Sequence, residues 1–242
     1  MTTLLRAELL KLRTTRSFAA LVAAALGLSL LVVVLAAALA KNATEDDVHD
    51  LFTSDFSGLF IVLLGVTGMA GEWRHRTITS TVLAAPDRVK LLAAKVASYA
   101  IAGAVLSFVV TVALMVAGTI VLAARDQPTL GVVDLADILW RNLATAAYFG
   151  ALGVCVGALV RNQVIGIVGL LVFGLAVEPA LFALTDNVAK FLPVSGAPNA
   201  VTQTSFGDNA HLSLGAALAV MLGWIGLGFV ASGVTLERRD LV

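Results

Sequence analysis

The chain has 242 residues, of which 59% are hydrophobic and 13% charged, and its 16 basic and 16 acidic side chains cancel. This balance excludes an ordinary water-soluble domain, gives no reason to expect a nucleic-acid partner, and fits one all-α polytopic membrane domain over residues 1–242. The one cysteine, Cys155, lies in an apolar run and has no partner for an intrachain disulfide.

Residues 1–17 read as an amphipathic interfacial helix. Leu5, Leu9 and Leu12 share one face, Arg6, Lys11 and Arg13 reach water or lipid phosphates, and Glu8 stands three residues before Lys11. Counting apolar runs against the ~20 residues that cross a bilayer core predicts six transmembrane helices. They cover Phe18–Ala40, Phe52–Ala70, Val96–Ala124, Leu143–Val160, Val164–Leu184 and Leu212–Gly233. Asp55 falls near one end of the second, and the third is expected to start at Pro86, a residue suited to a helix N-terminus. Arg161, Asn162 and Gln163 alone separate the fourth and fifth, which predicts a tight helical hairpin.

Lysine and arginine placement sets the orientation. With the amino terminus inside, the inner segments hold most of the basic residues, and the outer ones hold only Lys41, Arg125, Arg141 and Lys190. Both termini are therefore expected in the cytoplasm.

The segment 71–92 is long for a connection and mixes charge with apolar anchors. Glu72 and Arg76 stand four apart, a spacing that permits an ion pair on one helical face. Ile78, Val82 and Leu83 suit burial, while Arg74, His75 and Thr79 suit an outward face. This predicts a short cytoplasmic helix parallel to the membrane, with a surface for a soluble partner; a merely solvated interfacial helix is the plainer alternative.

Glu178 is an acid about 14 residues into the fifth span, about 21 Å along a helix from its start. An ionisable group at that depth calls for an explanation, and Pro179 after it is expected to kink or end the helix. Glu178 is either a polar gate at the outer mouth of a pathway or a cap on backbone N–H groups of a re-entrant outer segment. The outer loop 185–211 suits such a segment, with short helices expected at Asn187–Leu192 and Ala200–Ser205. Glycines recur along the second, fourth, fifth and sixth spans, as close helix packing in membranes requires.

No Gly-x-x-x-x-Gly-Lys-Ser/Thr loop and no Cys/His cluster of metal-ligand spacing occurs in the sequence. Ser29 and Ser107 read as isolated hydroxyls bonded back to their own helices. The chain is accordingly not expected to be an enzyme or to hold a cofactor itself.

Glu8-Leu-Leu-Lys11-Leu-Arg13-Thr-Thr-Arg16-Ser, Gly71-Glu72-Trp73 with Arg76-Thr77-Ile78, and Pro86-Asp-Arg88 with Lys95 resemble permease subunits of type-2 ABC exporters, especially the small actinobacterial ones. The resemblance spans the whole chain. It implies two permease chains, as homodimer or related heterodimer, surrounded by membrane lipids and driven by a cytoplasmic ABC ATPase that carries the ATP and Mg. It also implies that Glu72 to Leu83, with Arg74, Arg76 and Thr79, is the coupling helix that docks the ATPase. An ion-coupled secondary transporter and a non-transporting membrane assembly or sensor subunit are the alternatives from other classes.

Overall fold

The computed structural model describes residues 2–53, 55–77, 87–203 and 212–238. Six of its helical segments are long and apolar enough to cross a membrane. Helix α1 (Thr2–Thr14) precedes the first span, α2 (Arg16–Leu39). The second span is α3 (Glu45–Thr53) followed by α4 (Ser57–Arg74), so it is divided around Asp55 rather than starting at Phe52. The third is α5 (Arg88–Ala123). Asp87 caps it by accepting from the Lys90 N–H at 2.9 Å, so the acid serves as the cap, and the expected start at Pro86 lies outside the described residues.

The fourth span, α6 (Val132–Val160), starts well before Leu143. It has room for Asp134, Asp137 and Arg141 because these occupy its first turns, beside the loop that precedes it. Arg161 ends α6 in the left-handed conformation, φ 56°. Asn162 then accepts from the N–H groups of Val164 and Ile165 at 3.0 and 3.2 Å. A three-residue reversal is thus closed at both helix ends, as the spacing predicts.

The fifth span starts as α7 (Gln163–Val172), passes through a π-helical turn at Phe173–Val177 and continues as α8 (Glu178–Leu184). The span therefore continues past Pro179, while the regular α-helix is interrupted by the π-helical turn just before it. The wider turn before it takes up the missing backbone donor. Two short helices follow, α9 (Asp186–Ala189) and α10 (Gly196–Thr202), and α11 (Leu214–Arg238) is the sixth span. The second short helix starts before Pro198, not at Ala200, because Pro198 is tolerated within a helix's first turn.

Helices α4, α5 and α6 form the centre. Close approach explains the glycines there: a Cβ on Gly65 would lie 2.9 Å from the Gly150 oxygen and 2.9 Å from the Val154 nitrogen. Phe52, Ile61, Leu92, Leu114 and Ile138 fill the adjoining core and are fully buried. The outer helices are another matter. Only 6% of the apolar window in the fifth span and 11% in the sixth is buried within the chain, against 61% in the fourth. Gly169, Gly223 and Gly226 meet nothing within 4 Å.

Candidate functional site

Hydrogen bonds assign one end of the bundle to both chain termini. Arg88 donates to the Leu236 carbonyl, Arg161 donates to the Thr235 carbonyl at 2.7 Å, and Lys95 joins Glu8 and Glu72. We call this the terminal face and the opposite end the far face.

At the terminal face, Lys95 is 1% exposed, with its Nζ 2.7 Å from Glu8 Oε2 and 2.6 Å from Glu72 Oε1. Lys11 completes the group at 2.7 Å from Glu8 and 3.5 Å from Glu72. Two acids and two bases from α1, α4 and α5 therefore neutralise one another where isolated charges would be costly. Burial pushes the Glu8 carboxyl up, but the Lys95 charge and the hydrogen bonds from Lys11 and Lys95 outweigh it and hold Glu8 below its ordinary 4.5. Burial likewise works against the Lys11 ammonium, yet its bonds to Glu8 and Glu72 leave it above 10.5.

This geometry answers two sequence expectations differently. The Glu8–Lys11 pair forms as the spacing suggests. Glu72 does not turn toward Arg76, because its carboxylate faces Lys95, and Arg76 lies beyond the helix end with φ 55°. The chain becomes exposed at Arg74, His75, Arg76 and Thr77, and Arg74 reaches the Gln163 amide at 3.3 Å. Trp73 lies under the Arg161 guanidinium, 5.2 Å from ring centroid to Cζ. Thr79, Leu83 and most of the expected parallel helix lie outside the described residues.

At the far face, Glu178 is fully buried although Pro179 beside it is exposed. Its Oε1 accepts from the Val194 N–H at 2.8 Å, and its Oε2 accepts from the Ser195 N–H and from the Ser195 hydroxyl at 2.5 Å. The carboxylate is thus bonded to the backbone N–H groups just ahead of α10, which is the capping geometry. Three more bonds hold the same segment. Tyr148 donates to the Pro193 carbonyl at 2.8 Å, Trp224 to that of Phe191 at 2.8 Å and Arg141 to that of Val201 at 2.8 Å. Arg141 also bonds Asp137 at 2.6 Å and is 8% exposed.

Sequence reasoning missed a third group. Ser107 and Thr111 both donate to Asp55 Oδ2, at 3.3 and 3.0 Å, and Ser57 donates to the same carboxylate at 2.8 Å. Ser29 accepts from the Phe56 N–H at 3.1 Å. Neither serine is an isolated hydroxyl bonded to its own helix. The available signal was the break at Asp55, since a polar residue in an interrupted span needs donors from neighbouring helices.

No curated protein matches the chain. The family model described as ABC-2 family transporter protein matches residues 4–177, which is from α1 through the π-helical turn and covers most of the chain. With six helices long and apolar enough to cross a membrane, and with charges that join α1, α4 and α5 at one face, this chain belongs to the ABC-2 transporter family and is a multi-pass permease component of an ABC transporter.

Proposed function

We propose that the chain is the permease subunit of an ATP-driven exporter, in which two membrane chains form the pathway and a separate cytoplasmic ATPase drives it. The terminal face is then cytoplasmic, as the placement of lysine and arginine favours. One observation carries the reading: the root of the connection between the second and third spans, Glu72, is locked by Lys95 to α5 and, through Glu8, to α1. Force applied to the exposed residues after it is therefore delivered to three helices at once. The coupling role rests on Glu72, Arg74, Arg76, Thr79 and Leu83. The bare apolar faces of the fifth and sixth spans support burial against lipid and a second permease chain.

The test is pull-down of the cognate ATPase from gently solubilised membranes, with transport in reconstituted vesicles. Arg74→Glu combined with Thr79→Ala is expected to weaken ATPase association while membrane insertion stays normal. Wild-type association and transport in that variant would overturn the coupling assignment.

A further inference from the structure

Two cavities lie side by side toward the far face. The larger, about 650 Å³, is apolar and is bounded by Leu59, Val62, Leu171, Leu175 and Phe182. The smaller, about 340 Å³, contains Asp55, Asn142, Thr145 and Asn199. Gly58, Leu59, Phe149 and Asn199 line both, so the two share a wall and one molecule can extend across them.

The unused capacity of the polar cavity is weighted toward acceptors, the Thr145 hydroxyl being its one unused buried donor among the described residues. Asn142 is 3% exposed and both of its amide hydrogens are committed, to the Phe52 carbonyl at 3.0 Å and to Thr111 Oγ1 at 3.3 Å. Those bonds fix the orientation of the amide. Among the described residues its Oδ1 has no partner, nor has Oγ1 of Thr145, which is 8% exposed. Thr111 passes its own hydrogen on to Asp55, so Asn142, Thr111 and Asp55 form one directed chain. Asp55 receives the hydroxyls of Ser57, Ser107 and Thr111 and the backbone N–H of Ser57, and among the described residues it makes no ion pair. The cavity therefore offers a half-buried carboxylate without a counter-ion and two buried oxygens that lack donors. A carboxylate accepts only, and buried acceptors left without donors are destabilising. A guest that brings positive charge and N–H groups satisfies all three at once, and the adjoining apolar space suits a hydrocarbon or aromatic body.

We propose that the joined cavities bind an amphipathic organic cation with at least one N–H, its apolar body beside Leu59 and Phe182 and its ammonium against Asp55, Asn142 and Thr145. This deepens the exporter reading by giving the class of its substrate, and it rests on that reading only for the word substrate. The binding site itself is a property of one chain.

The experiment uses the purified chain in nanodiscs of zwitterionic lipid, without ATPase or nucleotide. The probe is dansylcadaverine, an aromatic sulfonamide with a primary ammonium on an alkyl tether, and its N-acetylated derivative is the neutral control. Fluorescence enhancement is read against empty nanodiscs. The ammonium is expected to bind saturably and about tenfold more tightly than the acetylated form, the factor that one charge-assisted bond supplies. Asp55→Asn, which keeps a hydrogen-bonding side chain there, is expected to erase that preference. Thr145→Val, which removes an unpartnered hydroxyl at constant shape, is expected to weaken dansylcadaverine binding several-fold and to leave the fold intact. Equal affinity for the two dyes, or an unchanged preference in Asp55→Asn, overturns the proposal. So does a metal-cation result, in which sodium chloride but not choline chloride raises the melting temperature through Asp55 while neither dye saturates. Failure of the wild-type chain to retain any ATPase in the pull-down, with intact dye binding, would refute the exporter reading and leave the site standing.

Discussion

Replacing Glu178 tests whether the far-face segment is held by a carboxylate with both oxygens occupied. Oε1 serves the Val194 N–H, and Oε2 serves both donors of Ser195. In Glu178→Gln one oxygen becomes an NH2 group, itself a donor. The amide keeps most by turning its oxygen to Ser195, which leaves the Val194 N–H facing another donor. The loss is one bond to a charged group, and such bonds contribute about 1.5–3 kcal/mol each. Glu178→Leu removes every acceptor and leaves two backbone N–H groups without partners, at about 1–3 kcal/mol each, so about 2–6 kcal/mol. Ser195→Ala removes only the hydroxyl and should fall below both. The assay is unfolding in detergent followed by tryptophan fluorescence, where Trp224 is a local reporter because its indole donates to the Phe191 carbonyl. A Gln variant within about 0.5 kcal/mol of wild type, or indistinguishable from Leu, would refute the two-oxygen account. Loss of transport in a Gln variant of normal stability would make Glu178 a charge-dependent gate instead.

Lys95→Met leaves Glu8 and Glu72 with only the more exposed Lys11 between them and should cost at most about 3–5 kcal/mol, read as a lower midpoint in the same unfolding assay. Because Glu8 sits below 4.5 in the folded chain, its contribution is fully present above pH 4.5 and is lost as pH falls through the lower folded value. Acidification should therefore reduce the melting temperature less in Glu8→Gln than in wild type. Gly65→Ala puts a methyl against the backbone of α6 and should destabilise by about 1–3 kcal/mol, whereas Gly223→Ala, with nothing within 4 Å, should leave the monomer's midpoint unchanged. In a Cys155→Ala background, cysteine at exposed Asp46 should label from outside and cysteine at exposed His75 from inside. Labelling of position 46 from the cytoplasm would reverse the assigned orientation.

The number of spans was legible because a bilayer demands a fixed length of apolar helix, and the hairpin was legible because three residues permit little else. Glu178 stood out as an acid at depth beside Pro179, but the sequence left a gate and a cap both open, because its partners Val194 and Ser195 lie beyond the end of α8. The helix ends were less readable. Arg141 and Asp137 satisfy each other within α6, so a count of apolar residues places its start too late. Lys95 looked like a flank of the third span because its acids, Glu8 and Glu72, are distant in sequence. Asp55 was visible as a residue, but its hydroxyl partners Ser107 and Thr111 belong to another helix, and a single sequence does not record which faces meet.

The terminal-face charges also order events during synthesis. Glu8 and Lys11 leave the ribosome first and can satisfy each other at the membrane surface, but the four-member group closes only after Lys95 has followed. Its closure requires α1 and the second and third spans to stand side by side at matching depth. If α5 were inserted one turn deeper, Lys95 would be carried about 5.4 Å away from both carboxylates, into hydrocarbon. The cluster therefore acts as a register check on assembly, rewarding a single vertical alignment of helices whose apolar surfaces alone would tolerate several.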